Sequence, residues 1–207
     1  MFYVSQRNKL IFSAWLFAII ISSFTVKSIQ AEEWEVKVEK SNLIISTRAM
    51  SGSEYLQVKA TVVINAPLFK VKQMFSATGT CWDWQLNCAQ SKIIKSDNPN
   101  KNTVHVILDL PWPLSDRDLV LDTKLTEQSE GQHLLLEMTP SNTQVKSKYV
   151  RAKSNIRYEL IEQPDNQTQL NILMHTEMGG SAPVSLVNNA LHKELTKDIN
   201  TLLKLLE

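Results

Sequence analysis

Apolar and polar residues alternate with a period of two along most of this chain, and the alternation gives way to helical spacing in only two places. Asn42 to Met50 and Glu54 to Asn65 read as a hairpin across Ser51-Gly52-Ser53. Pro67 then opens a short helix with Leu68, Val71, Met74 and Phe75 three and four residues apart. Strands follow in series. Ser91 to Ser96 is short; next, Val104, Val106, Leu108 and Leu110 share one face, opposite His105, Ile107 and Asp109. Beyond Pro111-Trp112-Pro113, the row Arg117, Leu119, Leu121, Thr123 and Leu125 stands against Asp118, Val120, Asp122 and Lys124. Three more inward rows are Leu134, Leu136 and Met138; Val150, Ala152, Ile156, Tyr158 and Leu160; and Leu170, Ile172, Met174 and Met178. Alternation this regular predicts an antiparallel sheet with one covered face and one wet face.

After Gly179-Gly180-Ser181, Pro183 opens a long second helix. Val187, Leu191, Leu195, Ile199, Leu202 and Leu206 form its apolar stripe, with Lys193, Glu194, Lys197 and Asp198 assigned to the other side. About six turns span roughly 35 Å, and the stripe must be buried against the covered face of the sheet. The glycine pair is expected to give the turn before this helix freedom to move. The order of elements predicts an α+β fold.

The first residues have a different character. Arg7 and Lys9 precede Leu10–Phe24, a run of 15 uncharged residues, short of the roughly 20 that a spanning helix needs. This is the pattern of a secretory signal, with cleavage after Ala31 and a single domain over 32–207. An uncleaved N-terminal membrane anchor is the alternative. Both readings place the domain outside the cytoplasm, periplasmic or secreted. Without Arg7, Lys9 and Lys27, the 22 basic residues fall to 19 against 21 acidic, a net charge of −2. No basic excess is left to hold nucleic acid. Cys81 and Cys88 bracket the run CWDWQLNC; in an oxidising compartment they predict a disulfide, with two free buried thiols as the alternative.

Candidate chemistry is sparse. His105, His133 and His175 fall on the outward parity of their strands, and none has a nucleophile or carboxylate at a spacing that implies a catalytic dyad. His175 and Glu177 share a face, as a solvated pair would. No metal cluster, phosphate loop or dinucleotide fingerprint is present, so neither metal nor cofactor is expected.

Four segments in order carry a resemblance. Trp34 precedes NLIISTRAMSGSEYLQVKATVVINAP; Cys81-Trp82-Asp83-Trp84 with Cys88 forms a Trp-bearing loop; LDLPWPLSDRDLVL spans Leu108 to Leu121; and MGGSAPVSLVN spans Met178 to Asn188. Together they resemble the START family of lipid-transfer domains related to steroidogenic acute regulatory protein, in its bacterial branch, over about residues 34–207. Ser185 departs from the pattern, since many members carry a large aromatic there. The resemblance implies a helix-grip fold, a curved antiparallel sheet wrapped around the C-terminal helix, with an internal hydrophobic cavity that binds a lipid or other hydrophobic molecule. It therefore implies that Leu119, Leu121, Leu134, Leu136, Met138, Tyr158, Ile172, Met174, Met178, Val187, Leu191 and Leu195 line that cavity. Trp112 is either a cavity wall or part of the strand crossing. Arg117 faces the covered side, held by loop carbonyls and neighbouring acids or reaching a ligand head group. A monomeric carrier with transient membrane contact is the expected function. The rival is an enzyme of the aromatase/cyclase-like kind.

Overall fold

The computed structural model describes residues 33–75 and 81–207; the signal-like segment 1–31 lies outside them. Among the described residues are ten strands: β1 (Glu35–Lys40), β2 (Leu43–Met50), β3 (Ser53–Ile64), β4 (Cys88–Asn98), β5 (Lys101–Leu108), β6 (Arg117–Gln128), β7 (His133–Pro140), β8 (Val150–Arg151), β9 (Lys153–Gln163) and β10 (Gln167–Glu177). The helices are α1 (Leu68–Met74) and α2 (Val184–Leu206). Strand order across the sheet is β1-β2-β3-β10-β9-β7-β6-β5-β4, antiparallel throughout except where two residues of β8 pair with the start of β6. The hairpins reach the sheet in chain order, and only the β3–β10 pairing joins distant segments. It puts Ala60 opposite Ile172 and Val58 opposite Met174.

The outer strands are bent by design. Register shifts interrupt β1–β2, β2–β3 and, three times, β4–β5. Each extra residue bends its strand and adds twist, which curls the sheet edges toward the helix. β1 is almost wholly exposed, although Trp34, Val36 and Val38 alternate with Glu35, Lys37 and Glu39. It joins the sheet through backbone pairing. β4, read from the sequence as six residues, has eleven because its partner β5 supplies a ladder along its whole length.

α2 lies on the concave face with Val187, Leu195, Ile199 and Leu202 buried. Asn188 ties it down: its side-chain oxygen accepts from Leu56 N–H at 3.0 Å, and its amide donates to the Glu54 carbonyl at 3.0 Å. Part of the concave face is solid, with Leu43, Ile45, Leu160, Leu170, Leu134 and Leu136 in one core.

The convex face is not uniformly wet. His105 and Val120 are buried there, and Asp118 is 0% exposed. The segment 141–151 returns along β6, and from it Ser147 and Arg151 hydrogen-bond the Asp118 side chain. Ser141 N–H donates to the Val120 carbonyl and Ala152 N–H to the Asp118 carbonyl, both at 2.9 Å. Asp118 receives two bonds from Arg151, Nε at 2.9 Å and Nη2 at 2.8 Å, and lies 2.9 Å from His105 Nε2. Burial alone would raise this carboxyl; bonds from Arg151, His105 and Ser147 outweigh it and hold the pKa below the usual carboxylate value. Alternation shows parity, but not whether a later loop returns to cover the polar side.

The turn before α2 is likewise more constrained than its glycines suggest. Gly179 and Gly180 both sit at positive φ, +63° and +60°, against β8. A Cβ on Gly179 would lie 2.5 Å from the Arg151 carbonyl oxygen. The pair is needed for close approach, a requirement opposite to looseness. Gly179→Ala should therefore destabilise the fold well beyond the ~1–2 kcal/mol of a left-handed non-glycine residue. Gly52→Ala, at φ +81° with open space around it, should cost only about that conformational amount. Urea midpoints of the two variants check this; equal losses would contradict it.

Candidate functional site

Between α2 and the concave face of the sheet the side chains leave a cavity of about 230 Å³. Its walls converge from distant parts of the chain: Val106 and Leu108 of β5, Leu119 and Leu121 of β6, Met138 of β7, Ile156 and Tyr158 of β9, and Ile172 and Met174 of β10. Val187, Leu191 and Leu195 form the roof. Leu110, Pro111 and Leu114 of the β5–β6 loop close one side, and Met178 closes the end of β10. The surface is apolar because alternation puts every second residue of five strands on it.

The fourth wall is the loop between α1 and β4. Cys81 and Cys88 are joined by a disulfide, with Cα atoms 5.6 Å apart. Within it, Gln85 N–H donates to the Trp82 carbonyl (2.9 Å) and Cys88 N–H to the Gln85 carbonyl (3.3 Å). The short ring turns Trp82 and Trp84 inward, stacked at 5.4 Å between ring centroids. Phe75 and Tyr158 meet the same pair edge-on or tilted, at 5.2–5.9 Å. The indole N–H of Trp84 is satisfied by the Met74 carbonyl at 3.2 Å.

Polar groups gather where this loop meets α2. Gln85 Nε2 donates to the Tyr158 hydroxyl oxygen at 3.2 Å, and Leu86 N–H donates to Asp198 Oδ1 at 3.1 Å. Burial pushes the Asp198 carboxyl up to about 6, with Glu194 adding to the rise. Burial and the nearby Asp198 push the Tyr158 phenol far above its ordinary value. Glu194 also lines this end and accepts from Lys197 Nζ at 2.7 Å at the rim.

Ten of the residues expected in the lining reach it: Leu119, Leu121, Met138, Tyr158, Ile172, Met174, Met178, Val187, Leu191 and Leu195. Four do not. Trp112 stands outside, 92% exposed, at the tip of the loop whose neighbours Pro111 and Leu114 face in. Leu134 and Leu136 point inward but into the solid part of the core, where β7 meets β9. Arg117 is 3% exposed and bound up in carbonyls: Nε donates to the Met178 carbonyl at 2.7 Å, and Nη1 to the Ser115 carbonyl, the Ser115 hydroxyl and the Asp116 carbonyl. It ties the start of β6 to the turn before α2.

Trp82, Trp84, Gln85, Asn87 and Cys88 belong to the site although periodicity gave no sign of them, because a loop has no period. Glu194 and Asp198 were legible. Asp198 is seven residues, two helical turns, beyond Leu191, so both share the face assigned to the stripe alone. Their charge, rather than their spacing, suggested the solvent side.

Outside the cavity, Ser53 Oγ lies 3.1 Å from His175 Nε2 and hydrogen-bonds Glu177. Glu177 approaches the same ring nitrogen, at 3.5 Å. A nucleophile–base–orienter relay needs the acid on the opposite nitrogen, so the trio does not have that geometry.

The family model of the START domain matches residues 26–207. No curated protein sequence matches the chain. Human StAR-related lipid transfer protein 5 superposes with a TM-score of 0.76 at 18% identity, over 84% of this chain and 86% of that one. A STAR-related lipid transfer protein from Xanthomonas axonopodis gives a TM-score of 0.73 at 19% identity, over 84% of this chain and 98% of that one. The chain belongs to the START domain family, and its fold is the helix grip.

The raised Asp198 pKa has a consequence for stability. A carboxyl whose folded pKa exceeds its unfolded value stabilises the fold fully at low pH, and that contribution is lost as pH rises through the folded value. Asp198→Asn keeps the acceptor for Leu86 N–H and removes the ionisation. Between pH of about 4 and 7 the variant should gain on wild type, by up to roughly 2–3 kcal/mol. Urea unfolding across that range checks this; a constant difference would contradict it.

Proposed function

We propose that this START domain protein binds a lipid or similar hydrophobic molecule in the cavity beneath α2, and carries it outside the cytoplasm. The observation that carries this reading is the cavity itself. Leu, Ile, Met and Val side chains from five strands and a helix converge and yet leave space. Interiors are normally packed to the density of organic crystals, so space of this size has to be occupied or maintained at a cost. Met138, Met174 and Met178 in the lining suit a guest of irregular shape, since methionine adapts to its partner.

Carriage requires loading from a membrane. Trp112, exposed at the tip of a loop whose base lines the cavity, supports that step; an amphipathic indole partitions to the headgroup region of a bilayer. The Cys81–Cys88 bridge and the signal-like segment ahead of residue 32 support an oxidising address outside the cytoplasm. Export is tested by the mass of protein recovered from its own cells, which should match a chain starting near Glu32 rather than Met1.

Leu191→Glu tests the site. An unpaired charge in an apolar cavity costs several kcal/mol even after relaxation, so binding of a fluorescent sterol or phospholipid should be lost in this variant. Lys193→Glu, on an exposed position of α2, should keep it. Circular dichroism first establishes that both variants retain the sheet. Trp112→Ala should bind in solution as wild type does but load more slowly from vesicles. Undiminished binding by a folded Leu191→Glu variant would take the cavity out of the function.

A further inference from the structure

The cavity has a chemical polarity as well as a shape. Its apolar walls end at a charged polar cluster where the disulfide loop meets α2; the other polar lining residues, Ser154, Thr176 and Asn188 among them, are uncharged. The charged side chains lining the cavity, among the described residues, are two carboxylates, Glu194 and Asp198. No lysine, arginine or histidine is among its lining residues. Arg117, the buried cation nearest in sequence to the lining, is committed to the carbonyls of Met178, Ser115 and Asp116.

Hydrogen-bonding capacity is mixed: Gln85 keeps a second amide hydrogen and Tyr158 its hydroxyl hydrogen, so it is the absence of a cation, more than of donors, that sets the chemistry of this end. Gln85 spends an amide hydrogen on the Tyr158 oxygen, and Leu86 N–H is spent on Asp198 Oδ1. Asn188 is occupied on both sides by the backbone of β3. Ser154 is paired with Thr176 at 2.7 Å. A carboxylate accepts several hydrogen bonds and donates none. Asp198 and Glu194 each therefore retain accepting capacity at this end of the cavity.

We infer that the ligand is an amphiphile whose polar end donates hydrogen bonds and carries no negative charge, an alcohol or an ammonium, and that fatty acids and other anionic lipids are rejected. This rests on reading the cavity as a lipid site, and adds to it the class of head group. An alcohol donates to Asp198 or Glu194 at the end of the apolar tunnel. An ammonium does so too and adds charge attraction. A carboxylate or phosphate placed there meets two acids with no cation in the lining, and Lys197 at the rim is already paired with Glu194. Asp198 already has its carboxyl displaced toward neutrality by burial and by Glu194, so a third negative charge compounds an existing strain.

Oleyl alcohol, oleylamine and oleate share one chain and differ in head group. Each is titrated, below its aggregation threshold and at neutral pH, against wild-type protein loaded with the neutral dye Nile red. Oleyl alcohol, oleylamine or both should displace the dye at concentrations at least roughly tenfold below oleate. In the double variant Glu194→Gln with Asp198→Asn the gap should close, chiefly because oleate improves. Asp198→Asn retains the acceptor for Leu86 N–H, and Glu194 loses only a rim ion pair, so the fold is kept. If oleylamine weakens in the double variant while the alcohol holds, the preferred head group is the ammonium; if neither weakens, it is the hydroxyl. Asp97→Asn, at the exposed far end of β4, should leave the order unchanged. Oleate displacing the dye as well as the other two, or an unchanged order in the double variant, overturns the head-group assignment and leaves the cavity reading standing. If Nile red does not bind wild type, or binds a folded Leu191→Glu variant equally, the cavity reading fails and this inference with it.

Discussion

A single amphipathic helix of 23 residues has to bury its apolar stripe, and the only large apolar surface offered to it is the concave face of a ten-stranded sheet. That mismatch in width governs the molecule. A helix with its side chains is about 10–12 Å across, while nine strands side by side at nearly 5 Å spacing are several times wider. The sheet answers by bending, through register shifts concentrated in its outer strands. Even bent, it meets the helix closely only along part of its width. Where α2 runs against β2, β3 and α1 the core is solid. Where Leu191 faces β5, β6 and β10 it is not.

The remaining gap is closed by parts that belong to neither the helix nor the sheet. The disulfide ring carries two stacked indoles into one end, and the β5–β6 loop shuts a side while exposing Trp112. Arg117 links the strand after that loop to the turn before α2, and the buried Asp118–Arg151 pair on the opposite face holds β8 in place beneath the glycine turn. The adjacent residues Arg117 and Asp118 thus brace the same junction from opposite faces of the sheet.

Much of this could be read in the chain before any coordinates. Period-two alternation located most of the strands, and the spacing of Val187, Leu191, Leu195 and Ile199 located the helix and the face it buries. What alternation could not supply was whether inward residues meet each other or empty space. Leu134 and Leu121 have the same parity and similar burial, yet only Leu121 faces the cavity. That difference depends on how far each strand stands from α2, a property of the whole sheet. β1 was legible too, in the alternation of Trp34, Val36 and Val38 with Glu35, Lys37 and Glu39, but the run is short. The charge of Asp198 points to solvent, although its position two turns beyond Leu191 puts it, half-buried, on the cavity face. Its partial burial is tolerated because it is partnered by Leu86 N–H and drawn toward neutrality.

A carrier of this build holds a guest in the space under α2 in its own setting. Native mass spectrometry of protein recovered from its own cells, without added lipid or detergent, measures this directly. One hydrophobic molecule per chain, released on unfolding and absent from a folded Leu191→Glu variant, is the predicted result. A bare polypeptide mass, with no extractable hydrophobic molecule, would contradict it.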